Sequence, residues 1–490
     1  MKSRTNRLQL TCLMATALAS SSALSQPNSI TIEWDPVDDT RVTNYELYYG
    51  TQTGDYENPP IELGKHTTTY TFSDLDSLQV YYFAIKATDG QNETSDFSNE
   101  ITSGEFRYVL GAKSGDGEAG WVEIDNKNKE LERTLSVGPQ RFLQTEGDSR
   151  VAVGDIDGDG RDEVVIGYAA RDGQPPLEGS FQVLDDDFSV LAWGTVSWPE
   201  YNSTSGETYP AIGDIDGDGR DEIVIGLGTG GLGMMEVFGY KNGALTSLGW
   251  TAVDWPEYFA AGGKTFPALG DIDGDGRDDL VVGFAGIDGN PNIMPGGIFV
   301  VQKGIALDKK ALTTPEAIRN VAKDRLLRVE DTVSGDLTWS SYASQIGETR
   351  PALGDIDGDG RDEVIIGLGS AGDGLVEVFD YQSNALVSKG LAGVNMPNYD
   401  FVNGETRPAV GDVDLDGRGE ILVGLGAGSH GVIGVLDDAT QGFVSLDSFQ
   451  GNSYSVGYED AGFWPALKHE VNRPINASGQ GASRESYQSR

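Results

Sequence analysis

Asp155-Ile156-Asp157-Gly158-Asp159-Gly160-Arg161-Asp162-Glu163-Val164-Val165-Ile166-Gly167 decides the reading of this chain. Carboxylates at alternate positions of a tight loop turn onto one centre, and a glycine after the third permits the sharp turn. A short β-branched run follows, with the composition of a buried strand. The pattern starts again at Asp214, Asp271, Asp355 and, more loosely, Asp412, at steps of 59, 57, 84 and 57 residues. Five in-register copies make the chain a repeat architecture.

Positions one, three and five are Asp155/Asp157/Asp159, Asp214/Asp216/Asp218, Asp271/Asp273/Asp275, Asp355/Asp357/Asp359 and Asp412/Asp414/Asp416. A further acid stands at position nine: Glu163, Glu222, Asp279, Glu363 and Glu420. Such an all-oxygen set suits a hard cation, and calcium more than magnesium, which takes few carboxylates and keeps its waters. An EF-hand needs a glutamate at position twelve between helices. Position twelve here is Ile166, Ile225, Val282, Ile366 and Val423, so these are not EF-hands. About five structural Ca²⁺ ions are expected, and without them each loop would crowd like charges and lose stability.

Each period of about 57 residues holds four strand-like runs; in the second they lie near 207–213, 222–228, 234–240 and 244–253. Four strands per repeat is the content of a propeller blade. Runs 106–113, 120–125 and 132–137 resemble the last three strands of a repeat, and 462–467 a first strand with nothing after it. Joined, they make a composite blade. Six blades are expected, or seven if the long step hides one. That step carries a basic segment, about 303–330, read as a helix capped by Thr313 or Thr314 and a candidate partner-docking element.

Residues 27–103 alternate as short strands, in Ile30–Trp34, Tyr45–Tyr49 and Tyr81–Ala87, with turn clusters between. Residues 1–25 have the basic start, apolar stretch and small-residue end of a signal peptide, which implies export to the extracellular space, cell surface or periplasm. The single cysteine, Cys12, lies within it, so the mature chain has no disulfide and metal becomes the expected staple. A formal charge of −42 excludes nucleic acid and anionic membranes as partners. Twenty of the 77 acidic residues sit at the four expected ligand positions of the five loops, which explains much of that charge. No transmembrane segment is expected, and residues 473–490 read as a disordered tail.

Two resemblances follow from these residues. Trp34, Leu75 with Tyr81, Phe83, Ile85 and Ser98-Asn99-Glu100 resemble a fibronectin type III domain. The loop with its position-nine acid and following strand resembles the FG-GAP repeat (VCBS repeat in bacteria) of integrin-α-like propellers, over 106–472. That resemblance implies side-chain ligands at positions one, three, five and nine, and backbone carbonyls from Arg161, Arg220, Arg277, Arg361 and Arg418. The fold is therefore expected to be all-β, a fibronectin-like sandwich followed by a calcium-binding β-propeller. The fifth loop departs at Leu415 and Gly419, and is expected to hold its ion more weakly.

No catalytic constellation is visible: His66, His430 and His469 are scattered, and Gly226–Gly231 lacks the helix and Gly-Lys-Ser/Thr of a phosphate loop. An aromatic element precedes each later loop: Trp198/Tyr201, Trp255/Tyr258, Trp339/Tyr342 and Met396/Tyr399. These rings could stack on a glycan or pack between blades. The leading expectation is a secreted, non-enzymatic calcium-binding protein for adhesion or carbohydrate recognition. The alternatives are a polysaccharide lyase or hydrolase built on the propeller, and a structural subunit of a surface complex.

Overall fold

The computed structural model describes most of residues 30–469. The longer stretches outside it are 1–29, 73–80, 113–120, 171–176, 286–295, 308–325, 452–462 and 470–490, with short gaps elsewhere, including 414–417. The proposed signal peptide, the polar tail and the middle of the expected basic helix (308–325) therefore fall outside the described residues, while the two ends of that 303–330 segment are strand rather than helix, in Ile298–Ala306 and Arg328–Asp336, because they pair with each other. The chain divides into two units, one built on residues 1–106 with 412–417 and 469–475, the other on the remainder.

In the first unit, strands Ile61–Gly64, Val42–Gly50, Tyr82–Asp89 and Ile101–Thr102 form one antiparallel sheet, and Ile30–Glu33 pairs with Thr69–Phe72. Alternate residues Tyr45, Leu47, Phe83 and Ile85 turn inward to meet Ile32, Trp34 and Phe72. The rings of Trp34 and Tyr45 meet edge to face at 5.8 Å, and the Tyr45 hydroxyl accepts the Val37 amide. The expected Leu75–Tyr81 corner is half outside the described residues. The closing strand also falls slightly later than Ser98, at Ile101–Thr102, while the Ser98 hydroxyl accepts the Ile85 amide.

The second unit holds six four-stranded antiparallel sheets among its described residues. The first five begin at Gly147, Thr208, Thr265, Thr349 and Thr406. The sixth joins Phe463–His469 to Phe106–Ala112, Trp121–Asn126 and Leu131–Ser136. The composite sheet read from the two ends of the repeat region is thus present.

The second strand of each sheet is buried on both faces, which explains its unbroken apolar run. Val164 and Ile166 pack with Val109, Val122 and Ile124 of the sixth sheet, while their neighbour Val165 packs with Ile223 and Ile225 of the second. The same alternation joins the second sheet to the third, the third to the fourth and the fourth to the fifth. Tyr108 against Phe449, at 4.8 Å, joins the sixth to the fifth. The six sheets therefore close on themselves in a ring. The glycine ending each apolar run permits this approach: a Cβ on Gly167 would lie 2.4 Å from the Thr208 carbonyl oxygen, and one on Gly283 would lie 2.2 Å from that of Thr349. Among the described residues no helix is long and apolar enough to cross a membrane.

Candidate functional site

The Asp-rich loops join the first and second strands of the sheets. Positions four and six need left-handed backbone, and only glycine adopts it freely: φ is 76° at Gly217 and 85° at Gly219, with closely similar values in the third and fourth loops. The chain then wraps the position-one carboxylate. Asp214 Oδ1 accepts the amides of Gly217 and Asp218, at 2.8 and 3.1 Å, and its Oδ2 accepts that of Gly219 at 2.9 Å. The first, third and fourth loops repeat the first of these bonds.

Carboxylate oxygens of Asp155, Asp157 and Glu163 lie within 4.8 Å of one another, as do those of Asp214/Asp216/Asp218, Asp271/Asp273/Asp275 and Asp355/Asp357/Asp359. The position-nine acid enters from the second strand. One oxygen of Glu163 and of Glu363 accepts the amide at position two of its own loop, from Ile156 and Ile356. The other oxygen of each is buried and meets no donor among the described residues, as are Asp279 Oδ2 and Asp273 Oδ1. Burial first, and the position-three carboxylate second, push Glu163, Glu222 and Glu363 up to about 8, and Asp279 to about 7. Oxygens aimed at one point, desolvated and mutually repelling, fit a divalent cation. The fifth loop is only partly described, since Asp414 and Asp416 lie outside.

Two loop positions have roles that ligand reasoning missed. The position-seven arginine lies across the preceding loop, so that a Cβ on Gly158 would meet Arg220 Cγ at 2.8 Å. The position-eight aspartate braces the preceding loop. Asp221 accepts the Asp155 amide and Asp278 that of Asp214, at 2.8 and 2.9 Å, and each returns its own amide to the matching carbonyl. Gly419 keeps only the backbone half of this link, to the Asp355 carbonyl. The recurrence of Arg-Asp after the glycine in four of the five loops was the available signal.

The repeated aromatic elements, expected either to stack on a glycan or to pack between blades, place their tyrosines inside the frame. Short helices Pro199–Thr204 and Ser340–Gln345 carry Tyr201 and Tyr342, which are buried, as are Tyr258, Tyr399 and Trp198. Each of these tyrosine hydroxyls donates to the carbonyl of Glu207, Lys264, Glu348 or Glu405, and accepts an amide from the second strand's end. Trp255 and Trp339 are partly buried against Tyr258 and Tyr342.

A second cluster was not anticipated. The residue five before each loop falls on the first strand of its sheet; these are Arg150, Tyr209, Phe266, Arg350 and Arg407, and Trp464 holds the matching position in the sixth sheet, which has no such loop. They converge at the middle of the ring. The guanidinium carbons of Arg150, Arg350 and Arg407 lie 5.1, 5.3 and 4.8 Å from the Trp464 ring centre. Arg150 also stacks on Tyr209 at 3.8 Å, with Lys264 Nζ 5.0 Å from the same ring. Two residues earlier stand Asp148, on its strand, and Glu207, Lys264, Glu348 and Glu405, each just before its strand; all five are partly exposed.

Arg350 is saturated, with Glu348 at 2.7 Å and Glu405 at 2.5 Å. Arg407, 1% exposed, pairs with Glu405 at 3.0 Å, yet its Nη1 meets no acceptor among the described residues. The same is true of Arg150 Nε and Nη1 and of Trp464 Nε1. Burial holds the Lys264 ammonium below the ordinary lysine range, against the opposing pull of Glu207. Buried donors without acceptors are costly and point to a missing acceptor.

Comparison with known proteins agrees with the fold. A fibronectin type III domain profile matches residues 21–103, an FG-GAP repeat profile 148–180 and an FG-GAP-like repeat profile 214–282. The chain is an FG-GAP repeat protein with an N-terminal fibronectin type III domain. It is 26% identical over 219 residues to integrin alpha-5 of Xenopus laevis, across 40% of this chain and 20% of that one. It is also 26% identical over 242 residues to rhamnogalacturonan endolyase YesW of Bacillus subtilis (strain 168), across 44% of this chain and 37% of the other. The chain thus spans well under half of either relative. Among solved structures, exotype rhamnogalacturonan lyase YesX overlaps 91% of this chain and 74% of its own at 14% identity, with a TM-score of 0.36.

Proposed function

We propose that this is an exported, calcium-stapled propeller that binds and cleaves an acidic polysaccharide at the centre of its ring. The observation that carries the reading is the set of buried, acceptor-less donors on Arg150, Arg407 and Trp464. A sugar carboxylate supplies the missing acceptor, since guanidinium forks match it two bonds at a time. The Trp464 ring offers an apolar face beside it. Similarity to a rhamnogalacturonan endolyase over 242 residues supports polysaccharide cleavage above adhesion.

The chemistry that fits is β-elimination. Neutralising the uronate carboxylate acidifies the adjacent C5–H, and the Lys264 amine, whose proton burial has loosened, accepts that proton. The C4–O bond breaks as the C4–C5 double bond forms, and the departing oxygen takes a proton from water. The loops have no step in this: calcium bound there would neutralise their carboxylates and hold each loop to its sheet.

The test is incubation of the pure, calcium-loaded protein with uronate-containing and neutral polysaccharides, followed by the ultraviolet absorbance of unsaturated ends. Release from uronate polymers alone supports the reading. Binding without release leaves recognition and removes cleavage, and neither activity from folded protein refutes both.

A further inference from the structure

Among the described residues the loops are not equivalent: Arg277 and Arg361 pair with the position-five carboxylates Asp275 and Asp359 of their own loops, and the third loop has in addition a lysine from another strand on its position-three carboxylate. The Lys303 ammonium lies 2.5 Å from Asp273 Oδ2, at position three of the third loop. It is held there from the neighbouring sheet: Nζ donates to the Tyr381 hydroxyl at 2.9 Å and sits 4.5 Å from that ring's centre. The third strand, Ile298–Ala306, makes a second inroad, with the Gly304 amide donating to Asp279 Oδ1 at 3.2 Å. Two of the four side-chain ligands expected of this loop are therefore already engaged by one strand.

Strand register shows this feature to be peculiar to the third sheet. Val164, Ile223, Leu280, Val364 and Ile421 stand opposite Leu184, Phe238, Gln302, Phe379 and Leu436. The next residue along the third strand is Asp185, Gly239, Lys303, Asp380 and Asp437 in turn. At this one place beside the loop, three sheets supply an acid, one supplies nothing and one supplies a cation.

We infer that Lys303 is a built-in counter-ion that makes the third loop a markedly weaker calcium site than the first, second and fourth. The inference rests on the calcium reading of the loops and on no property of the axial cluster. An incoming Ca²⁺ must displace the ammonium from Asp273 and then tolerate it nearby, whereas the same strand position is Asp185 beside the first loop and Asp380, paired with Lys389 at 3.1 Å rather than with a loop ligand, beside the fourth. Affinity at the third loop is lower by at least about tenfold, the factor that follows from losing one close, half-buried ion pair. Lys303 also bridges the third and fourth sheets through Tyr381, so this loop is stapled without metal.

The experiment is calcium counting by equilibrium dialysis of the full chain across a range of free Ca²⁺, with elemental analysis of the retentate and circular dichroism of each sample. Wild type is expected to fill the third-loop site at least about tenfold later than the tight class, those of the first, second and fourth loops, and Asp412→Asn identifies the separate late site expected of the fifth loop. Lys303→Met should move the third-loop site into the tight class, Lys303→Arg should keep it late, and Asp273→Asn should remove it. The inference is overturned if Lys303→Met and wild type give one curve, or if Asp273→Asn removes a tight site. Should Lys303→Met fail to fold, the Asp273→Asn result decides alone. Absence of calcium at every loop would instead refute the calcium reading itself.

Discussion

Replacing Tyr201 by Phe tests whether the repeated aromatics belong to the frame or to a ligand surface. The substitution removes one oxygen and leaves the ring. That oxygen donates to the Glu207 carbonyl and accepts the Gly228 amide, both at 2.6 Å, in a side chain 2% exposed. Its loss strands one buried backbone acceptor and one buried donor, each costing about 1–3 kcal/mol when unpaired. Some relaxation is open to the short helix that carries Tyr201, so a destabilisation of about 2–4 kcal/mol is expected. Urea unfolding in saturating calcium, followed by tryptophan fluorescence, measures it through the transition midpoint at constant slope. A change below about 0.5 kcal/mol, the size of an ordinary surface substitution, would refute the clamp. Loss of glycan binding at unchanged stability would return the aromatics to the ligand site.

Three further outcomes are expected. In chelator, stability should fall as pH rises. The position-nine glutamates have folded values near 8 against an ordinary 4.5, so from about pH 4.5 upward only the unfolded chain ionises them freely, and that loss is complete near pH 8. Urea midpoints at pH 5 and pH 8, with and without calcium, read it, and calcium should abolish most of the trend. Calcium binding at pH 7 should release protons, because these acids are largely protonated in the metal-free loops; calorimetry in two buffers of different ionisation enthalpy measures the number. Asp278→Ala should cost about 1–3 kcal/mol in the same urea assay by leaving the Asp214 amide without its acceptor.

The repeat, the four strands per period and the composite sixth sheet were legible because each is written in short-range pattern: alternating carboxylates, β-branched runs and steps near 57 residues. The position-nine acid was legible for the same reason. The axial cluster was not. Arg150, Tyr209, Phe266, Arg350, Arg407 and Trp464 share one position in the repeat but not one residue type, and only the ring brings the three arginines and three aromatic rings together. A pattern search rewards sameness, and the position of the proposed site is a variable one. Trp198, Trp255 and Trp339 were legible by their regularity, and the structure adds that the tyrosine three residues after each clamps the backbone of its sheet. Lys303 was grouped with a basic insert by its neighbours in sequence, whereas register puts it on a strand beside a loop it neutralises.

The account's central claim is a carboxylate seat between Arg150, Arg407 and Trp464. Its most direct test is equilibrium binding of a short oligouronide, and of the same oligosaccharide with its carboxyls reduced to alcohols, to the calcium-loaded protein. The account predicts saturable binding of the oligouronide, weakened by Arg407→Lys, which keeps the charge but removes the forked donors, and at least about tenfold weaker binding of the reduced form, since each charged hydrogen bond contributes more than about 1.4 kcal/mol. Equal affinity for the two, or no binding of either to folded protein, would contradict it.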